Sequence, residues 1–390
     1  MHDPLARLIA FYLPQFHPIP ENDAWWGRGF TEWTNTAKAK PMFRGHYQPH
    51  VPADLGFYDL RLAESRKAQA DLAREYGIEA FCYYHYWFDG RRMLERPFNE
   101  VLASGQPDFP FCLCWANHTW SGIWAGAPDR VLVEQTYPGE ADYRRHFEEA
   151  LLPAFLDPRY IRVDGRPMFL IYRASDVPNC SAAMDLWRKL AVKAGLPGLH
   201  LVGSNVVVDT KTETRPASDF GLDAWTTALM PPIRPWVSRL RPVEWLRRRS
   251  EGWLGKPTVY EYKKILVELL GPALPGPNYP CLIPNWDNTP RSGRNGLVFR
   301  GATPELFRRQ AREALRRIEG TPREERFVFI KSWNEWAEGN HLEPDLRYGH
   351  QFLDVVREVF DPGSAKSDGK AERGRQRVRN PERTARSIGP

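Results

Sequence analysis

The chain has 390 residues, enough for one large domain or two ordinary ones, with 42% hydrophobic residues and a formal net charge of +6. From Asp361 onward eight Lys or Arg face four acids, so the remainder is close to neutral and nucleic acid is not indicated as a partner. No apolar run is long enough to span a membrane, the N-terminus lacks a signal-peptide cleavage pattern, and the five cysteines show no metal-site spacing. A cytoplasmic globular protein without a metal or cofactor is expected.

The first apolar run, RLIAFYLP (7–14), contains Tyr12 and leads to Gln15 and His17. A long loop follows with Trp25, Trp26, Glu32 and Trp33, either a sugar platform or lid, or a rigid plug on the rim. HYQPH sets His46 and His50 four apart, but Pro49 breaks the helix that would aim both at a metal. Leu60–Tyr76 has apolar residues at helical spacing. The second run, GIEAFCYYHYW (77–87), carries Tyr84, His85 and Trp87 as candidate sugar-binding residues, although His85 equally suits a satisfied core group. In FPFCLCWAN (109–117), Cys112 and Cys114 alternate as buried thiols do, and the run ends in Trp115 and Asn117.

A helix over 141–155 leads to PMFLIYR (167–173), and a helix over 182–194 to LHLVGSN (199–205) and LDAWTT (222–227). Residues 234–249 mix six Arg with Trp236, Leu240, Trp245 and Leu246, inside an insertion of about 231–256. That composition suits contact with an anionic membrane surface; the alternative is a solvated loop and helix packed on the fold. A helix over 259–270 precedes PCLIPNWD (280–287), whose Asn285, Trp286 and Asp287, with Arg291 beyond, are candidates for binding hydroxyls. Thr303 and Pro304 open a helix over 304–318 with an N-cap and first-turn Pro. The last run, RFVFIKSWNE (326–335), is followed by a helix over 350–360 and a polar tail, 361–390, expected to be disordered.

Eight apolar runs alternating with amphipathic stretches predict one (β/α)₈ TIM-type barrel with long βα loops, spanning residues 6–360. A doubly wound sheet is the competitor, but no Gly-rich phosphate loop follows the first run. In a barrel the polar strand ends converge on one face, where such enzymes keep their active sites. The fifteen Trp fit either an aromatic-lined site or the core.

The stretch KSWNEWAEGNHLEPD (331–345) sets Glu335 and Glu338 among Trp333, Asn334 and Trp336. Glycosidic bond cleavage needs a protonated acid at the leaving oxygen and a second carboxylate near the anomeric side. Two glutamates three apart can share one face of a helical turn and reach one substrate. They can equally be first-turn acids that stabilise the next helix through its dipole. Glu343 is placed either to orient His341 or to cap a helix.

FYLPQFHPIPENDAWWGRGFTEWTN (11–35), YYHYWFDG (83–90), CWANHTW (114–120) and WNEWAEGNHLEPD (333–345) resemble the WbsX family over roughly residues 6–360. That resemblance implies a role beside bacterial O-antigen or other surface-polysaccharide assembly. More distantly, through the strand pattern and WNEWAEG, the chain is similar to glycoside hydrolase family 99, the endo-α-mannosidases, which are (β/α)₈ barrels. The likeness implies that Glu335 takes the proton of the sugar 2-hydroxyl, giving a 1,2-anhydro intermediate, and that Glu338 is the general acid and later the base. Ala337 departs from the His between the acids in many mannosidases, so the sugar recognised is open. Three readings follow: a glycosidase or transglycosylase acting on an oligo- or polysaccharide, free or lipid-linked; a sugar-nucleotide-dependent glycosyltransferase; and a non-catalytic glycan-binding scaffold. Against the second stands the lack of an Asp-x-Asp or phosphate-loop motif.

Overall fold

A computed structural model describes residues 4–122, 127–204, 215–226, 256–271, 276–361 and 363. Most of the Arg-rich insertion and nearly all of the C-terminal tail, with the membrane contact expected of the former, lie outside these residues. The barrel strands, in chain order, are β1 (Arg7–Tyr12), β2 (Ala80–Phe88), β3 (Phe111–Trp115), β4 (Arg166–Ile171), β5 (His200–Ser204), β6 (Ala224–Thr226), β7 (Asn278–Tyr279 and Cys281–Leu282, on either side of Pro280) and β8 (Phe327–Ile330). Each pairs in parallel with its neighbours, as near-continuous apolar runs do when both faces of a sheet are covered. The first half of β7 pairs with β6 and the second with β8, while β8 pairs with β1. The ring is thereby closed, and the doubly wound alternative is excluded.

Strand parity sorts the side chains into two layers. On β1, Phe11 points inward, where it meets Tyr84 of β2 and Phe329 of β8 at ring distances of 5.6 and 5.5 Å. Tyr12 points outward and donates to Gln69 Oε1 (2.6 Å) on the helix Ala63–Glu75. The five cysteines are buried and free, and burial raises the thiols of Cys82, Cys180 and Cys281.

The outer layer follows the expected helices with three differences. A helix at Arg96–Ser104, not expected from the sequence, follows β2. The helix expected over 141–155 is Glu140–His146, a π turn at Phe147–Leu151, and Leu152–Phe155; Pro153 has no N–H to continue the regular ladder. The stretch expected as one helix over 259–270 starts as a strand, Thr258–Glu261, paired with Leu297–Arg300. Its Thr, Val and Tyr suit a strand once a partner arrives from a distant segment. This pair rests on a second apolar cluster that includes Tyr262, Ile265, Trp286 and Phe299.

Candidate active site

After β8 the chain continues as Lys331 and Ser332, joined by a cis peptide, and then turns sharply. Asn334–Glu335 pairs antiparallel with Asn340–His341, and a 3₁₀ turn, Trp336–Glu338, connects them. A 3₁₀ turn has three residues per turn, so Glu335 at its N-cap and Glu338 at its end project to the same side. Gly339 closes the turn at φ +53°, and a Cβ there would stand 2.9 Å from Asp287 Cβ and 3.0 Å from the Asp287 amide nitrogen. That close approach lets the Asp287 amide donate to the Glu338 carbonyl (2.6 Å). The next helix begins only at Gln351, so the glutamates are not first-turn acids.

Around the pair, ionised groups are packed away from water. Glu32, Glu335 and Glu338 are 1%, 4% and 7% exposed, too little for water to solvate three charges. Lys331 Nζ donates to Glu335 Oε1 (2.8 Å) and to the Tyr84 hydroxyl (3.2 Å), and lies 3.8 Å from Glu338 Oε2. Arg291 bridges Glu338 Oε1 (2.6 Å) and Glu32 Oε1 (2.5 Å), and the Ala337 amide also donates to Glu32 Oε1 (3.2 Å). Three carboxylates thus face two cations, a balance that favours one retained proton. Glu335 and Glu338 share a hydrogen bond. Burial alone would raise both acids. At Glu335 the Lys331 ammonium, the Glu338 hydrogen bond and Arg291 outweigh it and hold the carboxyl well below the usual range. At Glu338 burial prevails over Arg291, and the Glu335 charge adds to it, pushing the group up to about 8. Burial also raises Glu32, against Arg291. Tyr86 of β2 and Tyr172, just after β4, lie within electrostatic reach of this cluster.

The expected site residues fall in several different places. Glu335, Glu338, Glu32 and Tyr84 come together, joined by Lys331 and Arg291. Trp33, Trp333, Asn334 and Trp336 build the floor of the turn. Asn334 Oδ1 accepts from the Leu13 amide (2.7 Å), tying β1 to the turn, and Trp333 packs on Phe81. Trp336 stacks on His341 (3.8 Å between centroids, 11°), meets Trp33 at 5.6 Å and donates to Glu343 Oε2 (2.6 Å). Gln15 holds the rim loop through its carbonyl, which accepts from the Glu32 amide (3.0 Å), and His17 is buried beside it. Trp26 lies half-buried on the helix Pro20–Trp26, against Phe30.

His85, Trp87, Trp115 and Tyr12 are displaced from the expected position at the mouth. His85 and Trp87 occupy the outer face of β2: His85 Nε2 meets His146 Nε2 at 2.8 Å, and Trp87 stacks on His146 and hydrogen-bonds Asp142 (3.1 Å). Trp115 packs between His146 and Trp187. The inward side chains of β2 are the even-numbered ones, Tyr84 and Tyr86. Asn117 ties β3 to β4, donating to the Arg173 carbonyl and accepting from its amide (2.9 and 2.8 Å). Seven of the eleven Trp among the described residues are fully buried and belong to the core.

Beyond β7, Asn285 Oδ1 accepts from the His341 amide (3.2 Å). Both Asp287 oxygens are occupied: Oδ2 accepts from His46 Nε2 (2.6 Å) and Gln48 (2.7 Å), and Oδ1 from Thr289 Oγ1 (2.6 Å). Trp286 belongs to the second apolar cluster. Asn285, Trp286 and Asp287, with His46, His50 and Tyr348, border a cavity of about 190 Å³; neither Glu335 nor Glu338 is among its lining residues. The Glu343 carboxylate accepts from Tyr58, Gln69 and Trp336, while its backbone carbonyl, not the acid, receives the His341 Nδ1–H (3.0 Å). Lys331 is a member of the glutamate cluster that the sequence did not single out. The signal was available: a Lys continuing a fully buried strand must find carboxylates.

The sequence matches the glycosyltransferase WbsX family over residues 8–356. The chain belongs to this family. Two relatives described as "Uncharacterized protein WxcX", from two strains of Xanthomonas campestris pv. campestris, are 40% identical over 357 residues, covering 91% of this chain and 50% of theirs. This WbsX-family chain therefore spans about half the length of the curated relatives it matches. Among solved structures, a glycoside hydrolase-like protein superposes with a TM-score of 0.56 at 18% identity, covering 91% of this chain and 94% of that one. The glycoside hydrolase family 99 endo-alpha-mannosidase from Bacteroides thetaiotaomicron superposes with a TM-score of 0.52 at 14% identity, covering 94% of this chain and 98% of its own. At such identities the likeness is one of fold, and the fold is the closed barrel described above.

Proposed function

We propose that this WbsX-family chain is a glycan-active enzyme of surface-polysaccharide metabolism that cleaves or transfers at a glycosidic bond through Glu335 and Glu338. The observation that carries this reading is the opposite protonation bias of two carboxylates on one 3₁₀ turn at the C-terminal end of β8. Pairs of titratable groups whose environments push them apart mark acid and base assignments. Glu335, ionised against Lys331, is the base; Glu338, protonated by burial, is the acid.

The step balances as the family resemblance implies. Glu335 takes the proton of the 2-hydroxyl, O2 bonds to the anomeric carbon, the bond to the leaving oxygen breaks, and that oxygen takes the Glu338 proton. In the second half Glu338 accepts a proton from water or an acceptor hydroxyl, which attacks the anomeric carbon; the bond from that carbon to O2 breaks, and O2 recovers its proton from Glu335. Lys331 balances the charge on Glu335 in the resting pair, and Arg291 that on Glu338 once its proton has left. Expulsion of water from the site strengthens each of these interactions.

Transfer to an acceptor, in keeping with the family's name, uses the same two carboxylates and differs only in the group that enters second. The test is mass spectrometry of the source organism's surface glycan and its lipid-linked precursor after incubation with pure protein and with Glu335→Gln. Shortened or rearranged chains with the unaltered protein alone are expected. Unchanged glycan in both samples, with sugar-nucleotide binding by calorimetry, overturns the carboxylate-pair reading in favour of a nucleotide-dependent transferase.

A further inference from the structure

His46 and His50, four apart in sequence, part company in the fold. His46 donates to Asp287, whereas His50 turns toward the β8 loop, where its Nδ1 lies 3.0 Å from His341 Nε2. Asp345 Oδ2 stands 3.9 Å from both nitrogens. The circle through three points so spaced has a radius of about 2.1 Å, the length of a zinc bond to imidazole nitrogen or carboxylate oxygen. We propose that His50, His341 and Asp345 form a binding site for a divalent first-row cation of the zinc class, which clamps the β1 loop to the β8 loop.

The three donors are held as metal ligands are held. His341 gives its Nδ1–H to the Glu343 carbonyl (3.0 Å), which fixes the tautomer and turns the Nε2 lone pair toward the cluster. Its ring is sandwiched on Trp336 at 3.8 Å. Asp345 Oδ1 accepts from the amides of Arg347 (3.0 Å) and Tyr348 (2.6 Å), and among the described residues Oδ2 accepts no hydrogen bond. His50 is positioned by backbone pairing just after it: the Leu346 amide donates to the Val51 carbonyl (3.0 Å), and the Ala53 amide to the Pro344 carbonyl (2.9 Å). Without an ion, a single shared hydrogen bond between the two rings leaves Asp345 facing them with no proton to receive. Two imidazoles and one carboxylate are a first-row set, not a calcium or magnesium set. His50 also borders the cavity of about 190 Å³, which leaves room for water or a substrate hydroxyl at the remaining positions.

The experiment uses the full chain, stripped with chelator and titrated with zinc alone by calorimetry, alongside His50→Ala and Asp345→Asn. One equivalent of zinc is expected in the unaltered protein and none in either variant. Cobalt should give a ligand-field absorption spectrum with the unaltered chain that both variants lack, a signature that loss of packing does not mimic. Zinc should raise Tm for the unaltered chain and leave the His50→Ala Tm unmoved. Should Asp345→Asn fail to fold, His50→Ala decides, since its side chain is the most exposed of the three. No uptake by the unaltered chain, or one equivalent retained by His50→Ala with its cobalt spectrum intact, overturns the site.

Discussion

At the scale of the residue, the cluster around Lys331 sets the terms. Glu335→Gln keeps the shape of the side chain and removes the base, so turnover should fall about 100- to 10,000-fold while circular dichroism and sugar binding stay unchanged. Lys331→Met leaves Glu335 buried without its cation. Its carboxyl should then titrate higher, the acid limb of the kcat/KM profile should move to higher pH, and the fold should lose about 3 kcal/mol in urea titration. Glu338 has a raised pKa in the folded protein, so its contribution to stability is full below its unfolded value of about 4.3 and is lost as pH rises through about 8. Glu335 has a lowered one, so its contribution is present above that unfolded value and lost as pH falls. Glu338→Gln should therefore abolish the decline in stability between about pH 4 and about pH 8, read as denaturation midpoints across that range. An unaltered decline would mean that Glu338 is ionised throughout.

Among the elements, the tight turn after β8 and the parity of β2 carry the argument. Gly339→Ala must hold a left-handed backbone and push its Cβ against Asp287, so we expect a loss of more than about 2 kcal/mol by chemical denaturation, with activity falling alongside. Trp87→Phe tests the parity. It removes an indole N–H from Asp142 on the outer face, so stability should drop by about 1–3 kcal/mol while kcat and KM hold. A changed KM would return Trp87 to the mouth. The sequence showed β2 as an apolar run but not which of its faces turned inward. His85 and Trp87 looked functional because they were polar or amphipathic, and period-two alternation sends both to the helix layer with His146.

For the whole molecule, closure is what assembles the site. Glu32 from the β1 loop, Tyr84 from β2, Arg291 from beyond β7 and the glutamates from beyond β8 meet only because β8 returns to pair with β1. A fragment ending at Ile171 would present unpaired edges at β1 and β4 and should elute as aggregate in size-exclusion chromatography. A monodisperse folded fragment would show that closure is not required.

The sequence by itself determined the eightfold alternation, hence the barrel, because continuous apolar runs and amphipathic stretches answer to local geometry and burial. It also determined the spacing of Glu335 and Glu338, since three residues along a tight turn is a local matter. Only the tertiary structure decided which cation neutralises which acid, which face of β2 the site uses, and that His50 belongs with His341 and Asp345 instead of His46. Each of those is a meeting of segments tens to hundreds of residues apart, and no local pattern encodes a distance between strands that the closing of the barrel sets.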